Sequence, residues 1–495
     1  MAAIFGFANY PGDAADRLVP MAGSMAHRGA ADPEFFETKC TSIGFRATLR
    51  RHSKEKVQSS GWKECDVRVV LDGKIVNAAS LRKQILVGGR NPIGASNAEL
   101  IAHLYRSHGE SCFELLRGSF AIAIHDKNKD RLILARDHLG HKPISFADTP
   151  EGFFFASESK ALLEADIVPF DIDMQALSHF LSFRFVPSPH SLITGITKLP
   201  PAHMAIHQHG KTSLRRYWQP SFKTKMNQSL DDVIEGLEEK VCDAITAYIP
   251  DSGITGSVLT GDLDSAVIVA NMSQVLGRSF DTFSLGVEND SDEVPIARLV
   301  AEKYGSIQHE SYPRDDVVRL LPAMIWSLDE PSDMVLVSKF LLSRMAAPHV
   351  DSVMSGDGGD ELFAGFTRYL GLRDAQYYAH IPAWLRNRII SPIASHFGGR
   401  KGLNGISGKV LWLTEVTGAG ELPERYAEAV ESLRFRKADK QVLFSEESWR
   451  LVADVDSSRL LAEKVRNSDA EDPIEKLLHT DFLTRLPEHL LMLDD

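Results

Sequence analysis

Two acidic turns that carry glycines are the segments of this chain best equipped for chemistry. One is Ser355-Gly356-Asp357-Gly358-Gly359-Asp360-Glu361, which follows the apolar run Val350 to Met354. Its glycines let the backbone turn and come close to a ligand. Carboxylates set so close together repel each other unless a divalent cation relieves them, and Mg²⁺ favours carboxylate oxygens together with phosphate oxygens. The other turn is Leu259-Thr260-Gly261-Asp262-Leu263-Asp264-Ser265, placed where an apolar strand passes into a helix. Backbone N–H groups at a helix N-terminus attract anions, and the hydroxyls of Thr260 and Ser265 add donors. Together the turns offer a phosphate cradle (Leu259, Thr260, Gly261, Asp262, Ser265, Ser355, Gly356) and a cation bridge. Asp264 is placed to hold a metal that bridges the phosphates.

The elements around these turns predict a parallel sheet. A helix is expected over Leu230 to Tyr248, then strand Gly256 to Leu259, strand Ser279 to Val287, helix Pro295 to Tyr304 and strand Ser352 to Met354. Alternation of this kind implies parallel strands flanked by helices. The first part of the chain reads differently. Short runs at Val67 to Leu71, Phe120 to His125, Leu132 to Ala135 and Gly152 to Ala156 are punctuated by turn formers such as Asp72-Gly73, with a helix at Asn97 to His108. That pattern predicts an α+β domain with antiparallel sheets. The proline-bearing stretch up to Tyr217-Trp218-Gln219-Pro220 divides the chain into residues 1–210, a linker at 211–228 and residues 229–495. A chain of 495 residues exceeds one compact core, in keeping with two domains.

Composition narrows the function classes. Hydrophobic residues make up 43% and charged residues 25%, as in ordinary globular proteins. A formal net charge of -12 argues against a broad nucleic-acid footprint. The four cysteines lack CxxC spacing, so neither a disulfide framework nor a zinc ribbon is expected, and a reducing compartment fits. The 18 histidines show no HExxH-type spacing. No apolar run approaches the roughly 20 residues that span a bilayer. The opening MAAIFGFANY lacks a basic leader and reads as a buried strand. A cytoplasmic location is the expectation.

Taken together, the turns resemble LSGGxDSS and SGDGGDELFGGY, the paired signature of the asparagine synthetase family. Other pieces match in order: Phe283-Ser284-Leu285-Gly286-Val287 resembles the adenine-side strand, with Leu285 and Val287 as nucleotide contacts, Asp292-Glu293 the acidic pair that follows, and Leu328-Asp329-Glu330-Pro331 the LDEP turn. The resemblance implies a doubly wound parallel sheet of the ATP-pyrophosphatase (adenine nucleotide α-hydrolase-like) type, with ATP and Mg²⁺ bound at the carboxyl ends of strands. It implies that a substrate carboxylate attacks the α-phosphate of ATP, and that an amine or ammonia then takes the acyl group from AMP, with Asp264 and Asp360 as the candidate metal ligands and Asp357 and Glu361 as the candidate catalytic groups that position or tune the reacting groups. One departure stands out: Asp262 occupies the family's second glycine. A carboxylate there faces triphosphate oxygens, and a non-glycine is disfavoured if φ must be positive.

The first half resembles a class II glutamine amidotransferase, an Ntn-hydrolase-like αββα sandwich. The resemblance rests on His27-Arg28-Gly29, Asp72 to Asn77, Leu116 to Phe120, Ala135 to Gly140 and Ala156 to Lys160. The active family begins Met-Cys-Gly, and the exposed cysteine is the nucleophile. This chain has Ala2. The Asn-Gly oxyanion element is Asp72-Gly73, which puts negative charge where an oxyanion needs donors. Asn97 replaces the acidic residue for the glutamine amino group, and Arg46 is the candidate for its carboxylate. The expectation is a degenerate glutaminase site.

Three readings remain open. The first is an AMP-forming ligase that uses an amine other than glutamine-derived ammonia, similar to β-lactam synthetases and lasso-peptide cyclases. The second is asparagine synthesis from aspartate, with glutamine or free ammonia. The third is a pseudoenzyme that binds nucleotide. The acyl substrate is expected to be a small-molecule or peptide carboxylate, with no nucleic-acid or membrane partner, and either a homodimer or a pathway partner protein is compatible. The terminal Leu490-Leu491-Met492-Leu493-Asp494-Asp495 lacks a helix stop, since aspartates oppose the dipole there. The family's helix runs on at this point towards a catalytic lysine, so the chain reads as a piece of a longer protein.

Overall fold

A computed structural model describes residues 2–38, 40–47, 61–63, 66–87, 96–250, 253–286, 293–313, 317–333, 335–396, 405–431 and 434–494. The first twelve strands are β1 (Ala3–Ala8), β2 (Glu34–Glu37), β3 (Thr41–Arg46), β4 (Gly61–Lys63), β5 (Val67–Ile75), β6 (Gly118–Asp126), β7 (Arg131–Arg136), β8 (Ser145–Thr149), β9 (Gly152–Ala156), β10 (Thr197–Lys198), β11 (His203–Gln208) and β12 (Lys211–Arg216). They form two six-stranded sheets, ordered β10-β8-β9-β1-β3-β2 and β12-β11-β7-β6-β5-β4. Every pairing within them is antiparallel.

Side-chain alternation sorts these strands into layers. In β1, Ile4 and Ala8 join Val70, Ala121, Leu134 and Phe155 in a core between the two sheets. Phe5 and Phe7 point the other way and pack with Leu18 and Met21 of helix Ala14–Ser24 and with Leu162. The second sheet's outer face packs Val69, Phe120 and Ile124 on Leu100, Ile101 and Leu104 of helix Asn97–His108. Period-two burial on both faces explains why β1 reads as a continuous apolar run. The result is a helix–sheet–sheet–helix sandwich. Residues 211–216, assigned to the linker by the proline pattern, instead pair as β12 with β11. Alternating Thr212 and Leu214 with charged residues suits an edge strand, which tolerates polar side chains.

The second half holds a parallel sheet: β13 (Thr255–Val258), β14 (Asp281–Leu285), β15 (Ile307–Ser311) and β16 (Ser352–Met354), ordered β15-β14-β13-β16. On one face, helices Leu230–Tyr248, Leu263–Leu276 and Glu293–Tyr304 bury Ile245, Val269, Met272 and Ala297. On the other, helices Val317–Leu328 and Val335–Ala346 bury Met324, Leu336 and Leu341. Helices on both faces make the sheet doubly wound. From β13 the chain steps outward to β14, and it later returns to the opposite side of β13 as β16. The strand order therefore reverses between β13 and β16, the crevice where such sheets bind ligands. A helical region completes the chain; its core of Tyr369, Trp412, Tyr426 and Leu477 also takes in Phe183 and Phe185 from the first half. No described helix is long and apolar enough to cross a membrane.

Candidate active site at the strand-order reversal

Both acidic turns emerge at the carboxyl edge of the parallel sheet, one after β13 and one after β16. The register pairs Ser257 with Met354, so the two strands end side by side. Helix Leu263–Leu276 begins at Asp262, which holds the N-cap with φ -83° and ψ 156°. This corrects the concern about backbone strain: the position is extended, and any L-residue adopts it. The Asp262 side chain makes no cap bond to the helix and is exposed. Its carboxylate accepts a 3.3 Å bond from the Thr260 hydroxyl. Ser265 is buried, and its hydroxyl accepts from the Thr260 amide at 3.0 Å and lies 2.8 Å from Thr260 Oγ1. These bonds fix the turn from within and leave the N-terminal amides of the helix facing the crevice.

The second turn lies directly against the first. A Cβ added at Gly356 would stand 2.7 Å from the Asp264 carbonyl carbon, and one at Gly359 would stand 2.4 Å from Asp264 Oδ2. Only glycine permits this approach. Gly358 takes φ +94° at the N-cap of the short helix Gly359–Phe363, which carries Asp360 and Glu361.

The crevice is electrostatically unsatisfied. Burial raises the Asp264 carboxyl above its ordinary value, and the charges of Asp360, Asp262 and Asp357 push it further. Burial and Asp262 raise Asp360 as well, against the partial relief of Arg368 and Arg485. Glu361 is buried, and neither of its carboxylate oxygens has a hydrogen-bond partner among the described residues. Burial pushes it up to about 7, although Arg485 Nε lies 4.0 Å away. Asp357 is partly neutralised by an ion pair with Lys339 of helix Val335–Ala346.

The donors fit a magnesium ion shared with phosphates. Asp264 and Asp360 would supply carboxylate oxygens, and the repulsion that Asp264 meets from Asp360 is what a cation would remove. Among the described residues, no third His, Cys, Asp or Glu joins them tightly enough to hold an ion without help. The remaining positions would fall to phosphate oxygens and water, the usual habit of Mg²⁺. Ser355 lies in the same turn, half-buried. Leu285 is half-buried at the carboxyl end of β14, while Val287 and Asp292 fall outside the described residues.

The first-half candidates are sealed in charge. Asp72, fully buried on β5, accepts the Ala2 amide at 2.8 Å and the Arg28 guanidinium at 2.8 Å. Arg28 also donates to the Ala2 carbonyl at 3.0 Å and to Glu158 at 3.0 Å. Gly73 follows Asp72 in the same strand, paired with Phe120. Arg46 spends its guanidinium on the carbonyls of Gly29 at 2.9 Å and Ala22 at 3.3 Å. Asn97 accepts from Arg82 at 3.0 Å, and no described hydrogen bond links it to the other four.

The charge network continues between the halves. Burial pushes the Glu158 carboxyl up, but the His27 bond and the charges of Arg28 and Lys160 outweigh it and leave it below the ordinary range. Lys160 bridges Glu158 to Asp329, 2.8 Å away in the LDEP turn. Lys198 meets Glu330 at 2.8 Å and Glu488 at 3.3 Å, and Glu488 also meets Arg136 at 3.3 Å. Arg136, Glu158, Lys198, Asp329, Glu330 and Glu488 line a cavity of about 50 Å³. Sequence reading quoted Arg28 and Lys160 only as parts of matching stretches and overlooked Lys339, Arg485 and Glu488. Lys339 and Arg485 lie in no motif, and their partners are 18 and 124 residues away in the chain, so spacing gave no signal for them.

Comparison with known proteins agrees with this layout. The glutamine amidotransferase domain family matches residues 1–218, and the asparagine synthase family matches residues 237–495. The chain is similar to asparagine synthetase [glutamine-hydrolyzing] 1 of Bacillus subtilis (strain 168), with 28% identity over 397 residues, 79% of this chain and 62% of that protein. It is also similar to asparagine synthetase [glutamine-hydrolyzing] 3 of the same organism, 27% identical over 317 residues, 60% of this chain and 51% of that protein. The chain thus spans less than two thirds of the length of either relative. A solved glutamine phosphoribosylpyrophosphate amidotransferase from B. subtilis aligns at 14% identity and a TM-score of 0.32, covering 56% of this chain and 64% of that one. With more than half of its residues matched, and the two acidic turns in contact at one sheet edge, the chain belongs to the asparagine synthase family.

Proposed function

We propose that this protein is an ATP-dependent, AMP-forming amide ligase that draws its nitrogen from an amine or from ammonia rather than from glutamine. The observation that carries the reading is the contact of Gly356 and Gly359 with Asp264, which brings a helix N-terminus and a second acidic turn to one crevice. On this reading the parallel sheet is of the ATP-pyrophosphatase type. The amides after Asp262 and the hydroxyl of Thr260 receive the phosphates of ATP. Asp264 and Asp360 would hold a magnesium ion, which would supply positive charge against the phosphate oxygens. Asp357 and Glu361 orient the reacting groups. Glu361, buried and raised to about 7, can exchange a proton near neutral pH, as a general acid or base for amide formation requires.

The nitrogen source is argued from the first half. A side-chain methyl stands at position 2, and its backbone is tied to Asp72 and Arg28. That pair fills the space where an oxyanion would need free donors. Lasso-peptide cyclases and β-lactam synthetases supply their amine from the substrate, and this chain fits that arrangement. The substrate is accordingly a small-molecule or peptide carboxylate, and the setting is cytoplasmic.

Pyrophosphate release tests the reading. The protein, with ATP and Mg²⁺, should release pyrophosphate with one of a panel of carboxylates: peptides, amino acids, or aspartate with ammonia. Release should be absent without a carboxylate. Glutamine should yield no glutamate above the protein-free rate, in wild type or in Ala2→Cys. Binding of ATP with no release for any carboxylate would replace this reading with a nucleotide-binding pseudoenzyme.

A further inference from the structure

We propose that Asp281, His309 and His349 form a binding site for one Zn²⁺ ion at the opposite edge of the parallel sheet from the acidic turns. One ligand atom from each of these residues lies within 4.8 Å of the others, the only such group of three among the described residues. Asp281 is the first residue of β14, His309 is the third of β15, and His349 precedes β16. Register pairs Asp281 with Ile307 and Phe283 with His309, which sets Asp281 and His309 on one face of the sheet as diagonal neighbours. The site therefore opens at the amino edge, a strand length away from the crevice that faces ATP.

The donor set suits zinc. Two imidazoles and a carboxylate, with further positions left to water, match the three-ligand pattern of borderline metals, whereas Mg²⁺ prefers oxygen alone. The geometry is already close. His309 Nε2 and Asp281 Oδ1 share a hydrogen bond at 2.7 Å. Around a tetrahedral ion with ligand bonds of about 2.0–2.1 Å, such atoms stand roughly 3.3 Å apart, so a small opening lets an ion replace the shared proton. His309 is held in plane by Phe283, with ring centroids 5.1 Å apart and an interplanar angle of 17°. The ring of His349 lies 4.2 Å from that of His309 and is exposed, so it can swing to complete the site. A packed, oriented first ligand and an exposed last one give an entry path.

Zinc here would join β14, β15 and the segment that enters β16. That segment is already tied to the start of β13, because Asp351 donates its amide to the Ile254 carbonyl and accepts the Ile254 amide at 3.0 Å. An ion would add a cross-link beneath the strand whose far end carries the second acidic turn.

The test uses the full chain, stripped with a chelator and titrated with Zn²⁺ against a chromogenic zinc indicator, with millimolar Mg²⁺ present to occupy the acidic turns. One equivalent should bind, and thermal unfolding should shift upward on loading. His309→Ala and His349→Ala should each weaken binding at least about tenfold and abolish the thermal shift. His349→Ala alters an exposed side chain, so its zinc-free melting should match wild type and separate ligand loss from misfolding. Co²⁺ loading should give visible bands of a nitrogen and oxygen site without a thiolate charge-transfer band. No uptake by wild type, equal uptake by the double variant, or a thiolate band would each overturn the assignment.

Discussion

The buried carboxylate of Asp72 and the carboxylates of the acidic turns are treated in opposite ways. Asp72 is enclosed with Arg28 at 2.8 Å and an amide at 2.8 Å, so its charge is cancelled within the fold. Asp264 and Asp360 stand among like charges: burial, Asp360, Asp262 and Asp357 push Asp264 upward, and burial, Asp262 and Asp357 push Asp360 upward. A chain keeps repulsion of this kind only where something from outside relieves it, because uncompensated charge is otherwise costly. The difference teaches which half still awaits a ligand. In the first half the protein supplies its own counter-ions; in the second it leaves them to be bound.

The sharpest way to break this contrast is to remove carboxylates from the open site. Asp264→Asn or Asp360→Asn should lower pyrophosphate release by about 10³-fold, the scale of losing a preorganised charge partner. Melting temperature should hold or rise, because relief of repulsion offsets lost contacts. A fall in melting temperature with activity retained would reverse the contrast. Next in size, Arg28→Ala should destabilise the first half by about 3–5 kcal/mol in urea denaturation, since it takes the counter-charge from buried Asp72 and leaves Glu158 to Lys160 and His27.

Acid–base linkage gives a third measure. Burial pushes the carboxyl of folded Glu361 up to about 7, against 4.5 for a glutamate in the open chain. Between those values the folded state binds more protons, so this group's contribution to stability falls as pH rises through that window. Full loss amounts to roughly 3 kcal/mol. Chemical denaturation from pH 4.5 to 7 should show that slope in wild type and lose it in Glu361→Gln. The smallest expected effect belongs to Asp262→Gly. Removing an exposed charge at the mouth should tighten ATP binding by about threefold to tenfold in calorimetry. Loss of its favourable place at a helix N-terminus should cost under about 1 kcal/mol of stability.

Much of the site was legible because it is local. Glycine and aspartate within one short turn carry their conformational and electrostatic meaning with them, and helices Asn97–His108 and Leu230–Tyr248 fall where their apolar periodicity predicts. The contacts that neutralise charge were not legible. Arg28 to Asp72, Lys160 to Asp329 and Arg136 to Glu488 join residues 44, 169 and 352 places apart, and only the packed fold brings them together. The same reasoning explains the misplaced concern over Asp262: a glycine in a motif signals either positive φ or close approach, and sequence alone does not say which. Here the close approach belongs to Gly356 and Gly359.

Asp262 sits in extended backbone with its carboxylate towards solvent; its side chain is tied to the turn beneath it by a 3.3 Å bond from the Thr260 hydroxyl and bears on the neighbouring carboxylates through its charge. Substitution there can retune the charge at the entrance without re-engineering the loop. The position is a ready dial for laboratory evolution: neutral or basic residues at 262 should sort variants by the nucleotide or phosphorylated compound they accept, at the cost of the bond from Thr260.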